Sequence, residues 1–397
     1  MNEPKLRFKG FEGEWESISI EEVSPLQGGF AFQSTSFRKY GIPIVRISNI
    51  LNTGEIGGAF IFYKGVVPSQ YSLSQGDAVI AMSGATTGKT AVVKDNGFYY
   101  LNQRVGKFAR TGKIYYPFVA TYIQSYYFVS KLQNLLSSSA QPNISTSDVN
   151  SIQINVPTDK AEQRKIATYF THLDTLIEAS RQKVEKLKQV KAASLQSLFP
   201  THGQRTPKIR FKGFEGEWKV VKLGELFTER IESNINGEML SVTMNDGIIK
   251  ASENGRFDNS NSDKSHYKVV KIGDIAYNTM RMWQGASGCS DYEGIVSPAY
   301  TVVKPKEGLY SKFFAYLFKT DEMIEKFRLS SQGLTTDTWN LKFFSFSKIE
   351  TIYPDNILEQ RKIASYFTHL DTLLTLYRQR YAKLQQVKRA SLTQMFV

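Results

Sequence analysis

The sequence predicts an α+β protein. Two mixed α/β domains are separated by two long helices, which pair antiparallel as an intramolecular coiled coil in a pseudo-two-fold arrangement. Three observations carry this. Residues 4–15 read PKLRFKGFEGEW and residues 207–218 read PKIRFKGFEGEW, identical at 11 of 12 positions. Residues 162–199 return at 359–396, identical at 25 of 38 positions, with a helical pattern throughout. The stretches between these blocks are barely alike and read as short strands and turns. A repeat fixed at its joints and divergent between them describes two arms on one frame.

The bulk composition allows packed domains. At 397 residues the chain fits about two to four of them. A hydrophobic fraction of 41%, with 13% aromatic, is ample for cores. Fifty Lys and Arg against 37 Asp and Glu leave a formal charge of +13. That balance favours a polyanionic partner, nucleic acid before a membrane surface. The single cysteine, Cys289, excludes an internal disulfide and any cysteine-based zinc cluster, and reads as an inert small side chain. The start has no apolar signal region, and no run of 18 apolar residues follows. The expectation is a cytoplasmic protein with no membrane partner.

Each long block is a helix with a seam. In the second copy Ile363, Phe367, Leu370, Leu374, Tyr377, Tyr381 and Leu384 alternate steps of four and three residues. The first copy places Ile166, Phe170, Leu173, Ile177, Ser180, Val184 and Leu187 at the same steps. Asp159 and Asn356 stand as N-caps. Glu162 and Glu359, three residues on, complete a capping-box pattern. Pro200 and Gly203 stop the first helix. At 1.5 Å per residue each helix runs about 57 Å. A seam this long needs a partner. Homodimerisation is the plainer option. The two matching copies in one chain meet at high effective concentration, which favours the internal pair.

The chain then divides into residues 1–158, 159–200, 201–355 and 356–397: arm, helix, arm, helix. Within the arms, apolar runs such as residues 42–47 and 77–82 alternate with Gly, Ser, Asn and Asp clusters. Aromatic helical patches close the arms at residues 116–136 and 310–329. A shared scaffold shows at YSLSQGD, ending in Gly76 and Asp77, and YKVVKIGD, ending in Gly273 and Asp274. Beyond it the loops differ, AVIAMSGATTGKT against IAYNTMRMWQGASGC. Different ligands on a common scaffold explain this, as does drift in unselected loops.

No catalytic constellation emerges. SGATTGKT at residues 83–90 lacks the G-x-x-x-x-G-K-[ST] spacing of a phosphate loop, because Ser83 stands where the first glycine belongs. His172, His202, His266 and His369 have no metal-ligand spacing. No nucleophile elbow or dinucleotide fingerprint is present. Metal sites and catalytic residues are therefore expected to be absent.

The divergent loops hold the residue types that read DNA bases. Arm one offers Arg46, Asn49, Thr86, Thr87, Lys89, Gln103, Arg104, Gln141 and Asn143. Arm two offers Asn278, Arg281, Trp283, Gln284, Thr335, Thr336, Trp339 and Asn340. Taken singly, each is more often solvated or structural than base-reading. The set outweighs its members.

This layout resembles the specificity subunit of type I restriction-modification enzymes. The resemblance rests on the order arm, EQRKIA…LDTLI helix, arm, EQRKIA…LDTLL helix, with a KxRFKGFEGEW lead-in before each arm, and it spans essentially the whole chain. It implies two target-recognition domains, each reading one half of a bipartite site in double-stranded DNA. It implies that the helices set the spacer and dock two modification subunits. Two restriction subunits, acting as translocase and nuclease, complete the complex. S-adenosylmethionine, ATP and Mg belong to those partners, and none is expected in this chain. Base-contacting residues do not transfer from the resemblance, because the arms vary. The alternative is a coiled-coil scaffold that binds protein without DNA specificity. The divergence of the arms speaks against it.

Overall fold

The computed structural model describes residues 3–137, 143–201, 203–244, 246–253, 263–335 and 338–397. They form two compact units, Met1–Arg181 with Gln379–Val397, and Gln182–Arg378. The long helices run Lys160–Ser197 and Ile357–Gln394. The division between units falls inside both. Each unit therefore holds one arm, the start of one helix and the end of the other.

The reason lies in the seam. In the first unit Ile166, Phe170 and Leu173 are buried in one core with Leu392 of the other helix, with Met395 and Phe396 just past its end, and with Trp15, Phe118 and Phe128 from the arm. In the second unit Ile363, Phe367, Leu370 and Leu374 share a core with Val184, Leu187, Phe199, Trp218 and Phe313. Burying each such side chain contributes about 1.5–3 kcal/mol. The seam thus serves the arm as well as the partner helix. Ile177, Tyr377, Tyr381 and Leu384 are half-buried, and Ser180 is buried with its hydroxyl donating to the Leu176 carbonyl.

Polar contacts set the antiparallel register, and the same ones recur in each unit. Tyr169 and Ser391 share a hydroxyl bond of 3.0 Å, and Lys388 pairs with Asp174 at 2.8 Å. In the second unit Ser194 and Tyr366 share one of 2.9 Å, and Lys191 pairs with Asp371 at 2.5 Å. Numbers rise along one helix as they fall along its partner.

The capping-box expectation is corrected. Asp159 accepts from the Ala161 amide and Asn356 from the Leu358 amide, as caps do. Glu162 and Glu359 do not reach back. Glu162 is 1% exposed and takes Arg7 on both oxygens, at 2.7 and 2.8 Å. Glu359 takes Arg210 at the same distances. The guanidinium fork matches two carboxylate oxygens, which outweighs a single amide. Arg7 and Arg210 also donate to the carbonyls of Gly13 and Gly216, closing the FKGFEG loop over the helix start. Those glycines have φ of 85° and 81°, which only glycine adopts cheaply. Gln163 and Gln360 complete the joint. Each accepts from an arm amide, Tyr115 or Tyr310, and donates to Pro157 or Pro354. The two verbatim blocks are therefore two sides of one joint.

Each arm is built on an antiparallel four-stranded sheet of the same order. In arm one it runs Leu26–Gly28, Val105–Phe108, Ala78–Ala81, Thr90–Val92. In arm two it runs Phe227–Glu229, Tyr300–Pro305, Ile275–Asn278, Ser287–Cys289. The shared Gly-Asp turns lead into the third strand of each. Asp77 pairs with Arg110 and Asp274 with Arg230, so the same carboxylate is held by arginines that follow different strands, Val105–Phe108 and Phe227–Glu229. Arm one adds a second four-stranded sheet, and arm two adds two-stranded ones. Each aromatic patch is two helices rather than one. Tyr116–Tyr122 and Tyr126–Ser137 break around Ser125, and Ser311–Leu317 and Asp321–Ser330 around Thr320, whose hydroxyls accept from Phe128 and Met323 amides.

Candidate nucleic-acid interface

The divergent loops of each arm converge at one end of its four-stranded sheet. In arm one, the Met82 amide donates to the Arg104 carbonyl and the Ile144 amide to the Met82 carbonyl, both at 2.9 Å. Three loops are thereby joined: residues 83–89, 102–104 and 143–144. Thr86 donates to the Ile47 carbonyl and draws in the turn at Arg46. In arm two the Thr279 amide donates to the Ala299 carbonyl, and the Leu341 amide to the Thr279 carbonyl. The joined loops are residues 280–286, 297–299 and 340–341.

The first loop has the same length in both arms, but its backbone differs: Gly84 is left-handed at φ 78° where Arg281 has φ −126°, and the 3-10 turns are one residue out of step. Each holds a single 3-10 turn, Gly84–Thr86 or Met282–Gln284. Each closes on a left-handed glycine, Gly88 with φ 81° or Gly285 with φ 82°. The Ala81 amide bonds the Lys89 carbonyl, and the Asn278 amide bonds that of Ala286. The second loop turns on a side-chain acceptor in each arm, Asn102 for the Arg104 amide and Ser297 for that of Ala299. The side chains differ as well. Thr86 and Thr87 stand where arm two has Trp283 and Gln284. Lys89 faces Ala286, and Gln103 and Arg104 face Pro298 and Ala299.

The sequence candidates fall unevenly on this surface. Gln103, Arg104 and Asn143 are exposed, and Lys89 is half-exposed. Thr87 spends its hydroxyl on the Gly84 carbonyl. Arg46 is half-buried, donates to the Ala59 carbonyl at 3.4 Å, and leaves its Nε without a partner. Asn49 corrects the expectation. It is 0% exposed, accepts from the Arg46 amide and donates to the carbonyls of Gly57 and Ala59, so it holds its own loop and is closed to a base. In arm two Arg281 and Thr335 are exposed, whereas Trp283, Gln284, Trp339 and Asn340 are half-buried. Trp283 and Trp339 meet edge to face at 5.3 Å, and the Trp283 Nε1–H donates to the Met280 carbonyl. Asn278 is half-buried and accepts from the Met280 amide, a turn role. Gln141 and Thr336 lie outside the described residues, as does His202.

Basic groups flank the loops. An open concavity of about 770 Å³ in the first unit is lined by Thr87 and Lys89 together with Arg181, Lys388 and Arg389 of the long helices. Asp174, Glu178 and Glu55 share its wall. In arm two Lys319, missed in the sequence, stands behind the first loop, and burial pulls its ammonium down to about 8. Burial pushes the Cys289 thiol up to about 12, so it stays protonated at neutral pH. His172 and His369 lie exposed on the helices. Among the described residues no group of three His, Cys, Asp or Glu is placed to hold a metal ion, and no helix is long and apolar enough to cross a membrane.

The family model of the type I restriction modification DNA specificity domain matches the chain twice, at residues 12–189 and 215–386. The chain belongs to this family. Each specificity-domain match takes in one arm and most of one long helix. Residues of this family member are 30% identical, over 213 positions, to the specificity subunit of type I restriction enzyme MjaVIII from Methanocaldococcus jannaschii, covering 50% of this chain and 47% of that one. They are 27% identical over 179 positions to the EcoBI specificity subunit from Escherichia coli, covering 44% and 36%. The matches thus span about half the length of these curated relatives, or less. The crystal structure of a type I restriction-modification S subunit from M. genitalium superposes with a TM-score of 0.63 at 16% identity, over 100% of this chain and 99% of that one. The fold is shared across the full length.

Proposed function

We propose that this chain is the DNA sequence-recognition subunit of a type I restriction-modification complex, with each arm reading one half of a bipartite site. The single observation that carries the reading is the doubled loop junction. Two arms join the same three loops at the same sheet end, with first loops of equal length, and nearly every side chain there differs. A common platform with exchanged side chains suits two different sequences read in one geometry. In arm one the readers are Gln103, Arg104, Lys89 and Asn143. In arm two they are Arg281, Gln284 and the Trp283–Trp339 pair. Arg389 supplies a phosphate contact, and the net charge of +13 supplies salt-dependent affinity.

The catalytic work falls to partners. Two modification subunits carry S-adenosylmethionine and methylate adenine. Two restriction subunits carry ATP and Mg. The surface offered to a repeated partner is the repeated surface. Lys9 and Glu12 are exposed and recur as Lys212 and Glu215, also exposed, although burial does not require their identity. One partner species binding once per unit accounts for that. Such a complex works where chromosomal DNA is, in the cytoplasm.

The test is a map of methylated adenines in a host supplied with the modification subunits, with and without this chain. The expected result is one two-part sequence, separated by a fixed unread spacer, methylated only when the chain is present. Methylation independent of the chain contradicts the proposal.

A further inference from the structure

We propose that Lys319 is a positioning residue that fixes the first reading loop of arm two, so that this arm's discrimination depends on a clamp that arm one lacks. This deepens the DNA-reading proposal and rests on it. Lys319 sits between the helices Ser311–Leu317 and Asp321–Ser330. Its own amide donates to the Tyr316 carbonyl, and Thr320 caps the next helix, so its backbone is held on both sides. Its ammonium donates to the carbonyl of Gly285, in a short contact, and to that of Met244 at 3.0 Å. Gly285 is the left-handed residue that closes the 3-10 turn carrying Trp283 and Gln284. A Cβ placed on Gly285 would lie 3.6 Å from the Lys319 Cδ and 3.5 Å from Ile324, so the turn rests on the lysine stem as well as its head. Met244 belongs to the turn between strands Leu240–Val242 and Ile248–Lys250. One half-buried cation thus ties the reading loop to a second turn and to the helical layer.

Arm one is built differently at the same place. Gln124 occupies the corresponding position, one residue before Ser125. Its amide group donates to the Ala120 carbonyl and accepts from Lys388, on the long helix. The first loop of arm one is instead held by Thr86 and Thr87, through the carbonyls of Ile47 and Gly84. Those threonines are replaced in arm two by Trp283 and Gln284; the Trp283 indole N–H bonds inside the loop, to the Met280 carbonyl, as Thr87 does in arm one, whereas the tie to a second turn that Thr86 makes is made in arm two by Lys319. A half-buried lysine is retained at a cost in desolvation, which a packing role alone would not require, since a methionine fills the same space.

The experiment uses the complex of this chain with its modification subunits. Methylation is measured on cognate DNA and on DNA carrying single base changes in either half-site. With K319M, discrimination in the half read by residues 219–355 is expected to fall about tenfold, the scale of one base contact, while the other half is unchanged. K319R, which keeps the charge and donors, is expected to restore most of it. In a W339F background, acrylamide quenching of Trp283 is expected to rise with K319M. Equal loss in both halves, or loss that K319R does not recover, marks Lys319 as a folding residue and overturns the clamp. Unchanged discrimination with unchanged quenching overturns it as well. If the unaltered complex shows no half-site dependence on residues 219–355, it is the DNA-reading proposal that fails, and this outcome is distinct from the others.

Discussion

Seven residues inserted into each long helix, between Arg181 and Gln182 and between Arg378 and Gln379, are expected to lengthen the unread spacer of the DNA site by about three base pairs, from about 10 Å of added helix against 3.4 Å per base pair. Both half-site sequences should stay the same. The insertion points follow from the units. Tyr169–Ser391 and Asp174–Lys388 lie in one unit, and Tyr366–Ser194 and Asp371–Lys191 in the other. Equal insertions at the divisions leave all four pairs intact. A whole heptad also keeps the seam in phase. An insertion into one helix alone puts the two sets of pairs out of register, and is expected to abolish methylation rather than shift it. Methylated-site mapping reads both outcomes. An unchanged spacer with equal insertions would show that the helices do not set it.

Arg7→Ala is expected to destabilise the first unit by about 3–5 kcal/mol, the cost of leaving a buried carboxylate without its partner. Arg210→Ala should do the same to the second unit through Glu359. The Arg7→Ala, Glu162→Ala double variant should recover part of the loss, since no buried charge is then left alone. Arg7→Lys should recover little, because an ammonium does not span both carboxylate oxygens. Denaturant melts of the chain in its complex, with hydrogen exchange to assign each loss to its unit, read these differences. A loss below about 1 kcal/mol would place the pair in the class of exposed ion pairs, and the joint between the repeated blocks would need another explanation.

The frame was legible in the sequence because its signals are local or repeated. Periodicity located the two long helices, and the caps at Asp159 and Asn356 located their starts. The mistake at Glu162 is instructive. A glutamate three residues past a cap reads as a capping box at short range, but its partner, Arg7, lies 155 positions away. The clue was present in another form, since Arg7 and Glu162 stand in the two blocks that repeat together. The break in the aromatic patches at Ser125 and Thr320 was a cap signal hidden inside an apolar run.

The reading surface was only half legible. Residue chemistry picked out Gln103, Arg104, Lys89 and Asn143, which reach one surface, but it also picked out Asn49, which folds inward onto three backbone groups. Side-chain type does not tell a base reader from a loop brace. The equivalence of Gly88 and Gly285 was visible in the sequence, because the two glycines close loops of equal length. Lys319 was not, because its role depends on carbonyls brought to it by two separate turns. Sheet order was beyond reach for the same reason: in the two matching four-stranded sheets every pairing except Ala78–Ala81 with Thr90–Val92 and Ile275–Asn278 with Ser287–Cys289 joins strands that are not consecutive in the chain.

The central claim is that each arm reads its own half-site, and exchanging one arm tests it most directly. Residues 16–158 are replaced by the corresponding arm of another family member, the rest of the chain and its modification subunits being kept, and methylated adenines are mapped. The predicted result is a new sequence in one half of the site, with the other half and the spacer unchanged. A change in both halves, or in neither, would contradict it.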